Sequence, residues 1–342
     1  MGALPPIPSK GDDATPQHSA LRACHASAKA PPTGWVVPPV IIPLAPKPPL
    51  LRANSGSRTQ PASRLEEKRG TTMAKLTKAQ RKAHAEAEAI LTKDRLNEDE
   101  RLFVLENWHE GANHINGAAG AFFTPWGLAR DFALEIGSGR IIDLCAGIGA
   151  LSFFAQHQAA EIVCVEINPR YAEVGRKVVP EARWINADVF DWRSLDLGRF
   201  NYAMANPPFG RVKRSGNAPR YKGADFEFHV IDIAAELADC GAFIVPQQSA
   251  SFRYSGAPYF DRVKHGKGVD FEAATGFCMD AGVGVDTTFY QDEWKDGAPR
   301  CEIVTFDFAE ARAQMQAERE RRAALPVPSL APSRPAEQLA LL

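Results

Sequence analysis

From Ile141 onward the chain alternates short apolar runs with helical stretches, and that alternation restricts what it can fold into. Ile141–Leu144, Ile162–Val165, Arg183–Asn186, Tyr202–Ala205 and Ala242–Val245 read as strands, and Ala150–Gln158, Arg170–Val178 and Asp225–Ala238 as helices between them. Strands separated by helices imply βαβ units and a parallel sheet. The ending breaks the pattern. Val285–Tyr290 and Cys301–Phe308 are strand-like runs joined by DEWKDGAP with no helix between, which predicts an antiparallel hairpin closing the sheet. The expectation is an α/β fold, mostly parallel, with helices on both faces.

The rest of the chain is built differently. Of 26 prolines, 13 fall between Pro5 and Pro61, in a segment without sustained hydrophobic period, so residues 1–72 read as a disordered Pro-rich arm. Two origins are open for it, a real flexible or targeting piece and translation from an upstream start codon; the run MAKLTKAQRKAHAEAEAIL opening at Met73 favours the second. Residues 73–115 read as a helical extension. Lys75 to Asp94 is rich in strong helix formers, and a second helix begins at Asn97, with Glu100 placed for a capping box. Leu102, Leu105 and Trp108 share a face that should pack on the main domain, residues 116–308. Residues 309–342 read as a charged helix and a second Pro-rich tail.

Bulk properties narrow the function. Forty Lys and Arg balance 41 Asp and Glu, and the basic arm leaves the remainder mildly acidic, so nucleic-acid contact must come from local patches. No run is long and apolar enough to span a bilayer. The six cysteines contain no CxxC spacing, which argues for reduced thiols, no metal site and a cytoplasmic setting.

Four segments carry chemistry. IIDLCAGIGALS delivers Asp143 at a strand end, then Gly147 and Gly149 in a turn that lets backbone N–H groups approach a ligand. A dinucleotide fingerprint would want glycine where Ser152 stands. Glu166 ends the second strand, 17 residues after Gly149, and can accept hydrogen bonds from ribose hydroxyls. Asp188 follows the third strand and can hold an adenine amino group. ANPPFG, Ala205 to Gly210, follows the fourth strand; Asn206 lies 63 residues after Asp143, at the carboxyl edge of the same sheet, where open α/β sheets bind ligands.

With these residues the chain resembles the class I S-adenosylmethionine-dependent methyltransferases, and within them the enzymes that methylate the N6 amine of adenine. FFTPWGLA, Phe122 to Ala129, resembles the segment that precedes the first strand in many DNA adenine-N6 methyltransferases. The resemblance implies a Rossmann-like sheet of seven strands and S-adenosyl-L-methionine as cofactor. It implies cofactor contacts at Phe123, Thr124, Pro125, Asp143, Cys145, Ala146, Gly147, Gly149, Glu166, Ile167, Asp188, Val189 and Asn206, and catalytic roles for Asn206, Pro207, Pro208 and Phe209.

The implied chemistry is direct transfer to a base flipped out of its stack. The Asn206 side-chain oxygen and the Pro207 carbonyl each accept an N–H of the amine, and Phe209 stacks on the base. DNA is the expected partner, through Arg211, Lys213, Arg214, Arg220 and Lys222, with the basic and aromatic stretch Ser251–Lys267 as a second contact. Two other acceptors stay open. KGADFEF, Lys222 to Phe228, resembles ribosomal RNA adenine-N6 methyltransferases, and glutamine-N5 methyltransferases of proteins meet the same problem with Asn-Pro-Pro-Tyr. A non-enzymatic cofactor scaffold would need the glycine turn but not the amine clamp.

Overall fold

A computed structural model describes residues 76–109, 122–295 and 299–324, all within the unit Met73–Leu342. The expected arm, residues 1–72, and the Pro-rich tail lie outside the described residues. Six strands form the main sheet: β1 (Gly139–Leu144), β2 (Ala159–Glu166), β3 (Arg183–Asn186), β4 (Phe200–Ala205), β5 (Ala238–Pro246) and, after a separate two-residue hairpin of β6 (Phe252–Arg253) and β7 (Asp261–Arg262), β8 (Cys301–Asp307). Their order is β3-β2-β1-β4-β5-β8, all parallel except β8, which runs antiparallel to β5. The order reverses between β1 and β4, which sets a crevice at their carboxyl ends.

Successive strand residues feed opposite faces. Ile142, Leu144, Phe243 and Val245 enter one core cluster, where α6 (Phe226–Leu237), α7 (Lys267–Thr275) and the start of α8 (Phe308–Ala324) bury Phe228, Phe271 and Phe308. Ile141, Met204, Ala242 and Ile244 enter the other. There α1 (Lys78–Leu91), α2 (Glu98–Asn107), α3 (Trp126–Phe132), α4 (Ala150–Ala155) and α5 (Pro169–Val178) pack. Strands covered on both sides read as continuous apolar runs, as these do.

The helical extension forms as its sequence predicts. Asn97 caps α2 by accepting the Glu100 N–H at 2.9 Å, and Glu100 returns the bond to the Asn97 N–H at 3.0 Å. Trp108 is buried, donates its indole N–H to Glu88 at 2.8 Å, and packs on Phe123 and Tyr171 at centroid distances of 5.7 and 5.8 Å. The extension is thereby docked on the sheet's second face, beside the carboxyl end of β1.

One expectation needs correction. The sheet has six strands, not seven, because Val285–Tyr290 is not a strand and no hairpin with β8 forms. Asp286 is the reason. Its side chain accepts the Thr288 N–H and hydroxyl at 2.9 and 2.6 Å and caps a short 3-10 helix, Thr287–Glu293. Local side-chain bonds of this kind outcompete a ladder. Among the described residues, Cys145, Cys164, Cys240 and Cys301 are free thiols.

Candidate active site

The turn after β1 is made by backbone that few residues adopt. Cys145, Gly147 and Gly149 have φ of 64°, 56° and 88°. Gly149 has no spare room, since a Cβ there would lie 3.1 Å from Val179 and Trp184. The turn brings Ala146 and Gly147 to a cleft lined also by Leu105, Phe122, Phe123, Thr124, Asp143, Cys145 and Asn206, with about 360 Å³ of free space including its open mouth.

Asp143 is fully buried in that cleft. Its Oδ2 accepts the Ser152 hydroxyl at 2.7 Å, and its Oδ1 has no partner. Burial pushes its pKa up to about 7, the Ser152 bond opposes the rise, and the neighbouring Glu166 adds to it. Glu166 is also buried and also raised to about 7, by desolvation against the pull of backbone N–H groups. It accepts the Gly147 N–H at 2.8 Å on one oxygen and the Asn168 N–H at 2.7 Å on the other, which leaves lone-pair capacity on both. Burial and the nearby carboxylates of Glu166, Asp143 and Asp188 push the Cys145 thiol well above its usual range.

Asn206 ends β4 at the same cleft. Its Nδ2 donates to the Phe122 carbonyl at 2.8 Å and to the Thr124 hydroxyl at 2.9 Å. A carbonyl only accepts, so this contact fixes which end of the amide is nitrogen. The Oδ1 is then buried without a partner. Pro207 is buried and Pro208 half-buried, and Phe209 sits against Phe122 with centroids 5.9 Å apart. Phe123, Thr124 and Pro125 are buried, and Phe123 meets Tyr171 edge-on at 4.9 Å.

Along the sheet edge, Ile167 presents its side chain to solvent at 63% exposure, beside Glu166. Val189 is buried. Asp188 already has partners, capping Phe190 N–H at 3.0 Å and accepting the Ser215 hydroxyl at 2.7 Å. That second bond ties the loop after the Asn-Pro-Pro-Phe turn to the β3 edge.

The five basic residues of that loop divide. Arg211 and Lys213 are exposed and make no side-chain bond among the described residues. Arg220 is turned inward: it pairs with Asp232 at 2.9 Å and Glu236 at 2.6 Å, and lies 5.0 Å from the Phe277 centroid. Arg214 braces the Gly223 carbonyl at 3.2 Å, and Lys222 bonds the Ala218 carbonyl at 2.8 Å. An unbroken basic surface over all five is therefore not what the fold presents; a long cation beside backbone carbonyls and buried carboxylates is drawn to them first.

Three residues with a part in the site escape sequence reasoning. Ser152 orients Asp143. Leu105, from the extension, lines the cleft. Glu227, fully buried, accepts the Gly210 N–H at 2.7 Å and the Ser249 hydroxyl at 2.7 Å, so one carboxylate holds the end of the Asn-Pro-Pro-Phe turn and the segment after β5. Its only sequence signal is its place inside KGADFEF. Among the described residues, no group of three metal-ligating side chains exists and no helix is long and apolar enough to cross a membrane.

No protein-family model and no curated protein matches the chain. Solved structures similar to it include a candidate RNA methyltransferase of Pyrococcus horikoshii, at 19% identity over 61% of this chain and 97% of that one, with a TM-score of 0.40. A candidate class I S-adenosylmethionine-dependent methyltransferase of Listeria monocytogenes aligns at 10% identity over 64% and 69%, with a TM-score of 0.42. A 16S ribosomal RNA guanine-N2 methyltransferase of T. thermophilus, solved with AdoMet and guanosine, aligns at 19% identity over 54% and 43%, with a TM-score of 0.34. Similarity at this level assigns neither a substrate nor a reaction, so both must come from the site itself.

Proposed function

We propose that the chain is an S-adenosylmethionine-dependent methyltransferase acting on the exocyclic N6 amine of adenine, with DNA as the leading acceptor. The observation that carries this is the pair of buried, unpartnered acceptor oxygens, Asp143 Oδ1 and Asn206 Oδ1, on residues lining one cleft. A buried acceptor left without a donor costs about 1–3 kcal/mol, so two in one cleft mark a place for a donor-rich ligand.

The cofactor fits this donor set. Asp143, whose carboxyl is raised by burial, would hold an ammonium; Glu166 would hold ribose hydroxyls with its remaining lone pairs; and exposed Ile167 would cover one face of the cofactor's adenine. Gly147 leaves room for a ligand backbone-close, with a Cβ there only in ordinary contact with Phe123. When bound, the cofactor supplies an electrophilic methyl on a sulfonium sulfur.

The chain's own part is positioning. An aryl amine is a weak nucleophile because its lone pair is delocalised into the ring. Asn206 Oδ1 accepts one N–H and the Pro207 carbonyl a second, which favours the pyramidal nitrogen that the transfer requires. The nitrogen gains the methyl and gives up one proton to water. Phe122 and Phe209 wall the base, and Thr124 and the Phe122 carbonyl keep the Asn206 amide from rotating. Catalysis of this kind is orientation and preorganised hydrogen bonding, with no covalent intermediate.

DNA is supported by the Phe122–Pro125 segment, which contacts Asn206 directly. RNA is the second reading, favoured by the Lys222–Phe228 run, whose Glu227 holds the catalytic turn. Transfer of labelled methyl to duplex DNA, single-stranded DNA, ribosomal RNA and protein, followed by nucleoside analysis, tests the proposal. N6-methyladenine in DNA is the expected product; N6-methyladenine only in RNA would shift the acceptor, and label only in protein would overturn it.

A further inference from the structure

The hairpin β6–β7 is inserted between β5 and α7 at the same sheet edge as Asn206. Its ladder is only Phe252 against Arg262 and Arg253 against Asp261, too short to hold itself. The fold holds it from below. Glu302, buried in β8, accepts the Tyr254 N–H at 3.0 Å, the Ser255 N–H at 3.0 Å and the Gln247 amide at 2.7 Å. The Tyr254 hydroxyl donates to the Gly284 carbonyl at 2.9 Å, and Gly256 N–H to Asp286 at 3.1 Å. Its root is joined to the catalytic turn as well, because Ser249 shares Glu227 with Gly210.

The base is rigid and the tip is bare. Tyr259 is 71% exposed and Phe260 42%. Phe260 stacks on buried Phe252 at 5.2 Å, and the Arg262 guanidinium lies 5.7 Å from its centroid, so the ring is held and does not fold away. Arg253 and Lys264, in the same segment, are exposed and make no side-chain bond among the described residues. Ser251 to Lys267 contains four cations and one carboxylate. Exposed flat rings set among cations suit a polyanion that offers flat faces. An apolar protein partner would call for aliphatic surface and fewer charges.

We propose that this tip is a stacking platform for unpaired nucleotides, so that the nucleic acid entering the site is single-stranded at the hairpin. The proposal rests on the nucleic-acid reading of the site and narrows it. A duplex keeps its base faces stacked on one another, whereas an unpaired strand offers a face to Tyr259 and phosphates to Arg253 and Lys264. The chemistry is shared by single-stranded DNA and RNA.

The test is fluorescence anisotropy of the full-length protein with a labelled adenine-containing 12-mer as single-stranded DNA, single-stranded RNA and blunt duplex DNA, across a salt series. The single strands are expected to bind at least about 10-fold more tightly than the duplex. Tyr259→Ala with Phe260→Ala should weaken single-strand binding about 10- to 100-fold, leave duplex binding unchanged, and leave the salt slope intact, since rings release no counterions; Tyr259→Ala alone, which removes no packing on Phe252, should weaken single-strand binding with the melting temperature unchanged. Tyr259→Phe should restore the affinity. Equal loss on duplex, or undiminished single-strand binding by the double variant, would overturn the proposal. Cofactor binding by calorimetry separates the two ideas: single-strand binding without cofactor binding sinks the methyltransferase reading alone, and the reverse sinks the platform alone.

Discussion

Two regions at the carboxyl edge of the sheet both bury polar groups, and they treat them in opposite ways. At the ends of β1 and β4, Asp143 and Asn206 each keep one buried oxygen without a partner. Beneath the loop of residues 210–223, α6 buries Glu227, His229 and Asp232, and every polar atom of these three side chains has a partner. Glu227 takes Gly210 and Ser249. His229 accepts the Ala218 N–H at 3.1 Å on Nδ1 and so donates its Nε2–H to the Gly223 carbonyl at 3.0 Å. Asp232 takes the N–H groups of Arg220 and Tyr221 at 2.6 and 2.8 Å and the Arg220 guanidinium. Buried polar atoms are nearly always paired, so the fully partnered region reads as scaffolding, and the proposed site is the one that keeps two buried acceptors open.

That contrast can be broken most severely at its two poles. Asn206→Ala should cut methyl transfer by about 10²–10³-fold while leaving cofactor affinity nearly unchanged and costing only about 1 kcal/mol of stability for its lost bonds to Phe122 and Thr124, measured by label transfer, calorimetry and denaturant unfolding. Asp232→Ala should do the reverse first. It orphans the backbone N–H groups of Arg220 and Tyr221 and removes one of the two carboxylates paired with the Arg220 guanidinium, and should cost about 2–4 kcal/mol in urea unfolding. Comparable stability losses in both variants would erase the distinction.

Smaller effects sharpen it. Asp143 is raised to about 7 in the folded chain, so the unliganded fold binds a proton there that the unfolded chain has lost. Stability contributed at this position therefore falls as pH rises from about 4 to about 7, and Asp143→Asn should flatten that fall. A cationic ligand needs the ionised form. Cofactor affinity should rise with pH up to about 7 and level off above it, with proton release visible in buffers of different ionisation enthalpy, and Asp143→Asn should reduce the release to the share that Glu166 contributes. The least effect is at the rim. Arg211→Gln with Lys213→Gln should lower the salt slope of nucleic-acid binding by about 1–2, whereas Arg220→Gln should lower stability and leave the slope alone.

What could be read from the sequence follows the same division. The β1 turn, the Asn97–Glu100 box and the Asn-Pro-Pro-Phe turn are local: their residues are close in the chain and their bonds are made within a few positions. Val285–Tyr290 misled because its apolar residues mimic a strand while Asp286 quietly caps a helical turn. The inward Arg220 was illegible for another reason. Its partners Asp232 and Glu236 lie on a helix whose rotation only the packed core decides. Glu302 and the hairpin it supports are separated by nearly fifty positions, and no periodicity links them.

The central claim is that the unpartnered Asn206 oxygen clamps an adenine amine, and one measurement meets it directly. Wild-type protein and Asn206→Ala are incubated with S-adenosylmethionine carrying a labelled methyl and with adenine-containing nucleic acid, and the nucleosides are then resolved. The account predicts label in N6-methyladenine for the wild type and its near-complete loss in the variant with cofactor binding retained. N6-methyladenine formed equally by both proteins would contradict it.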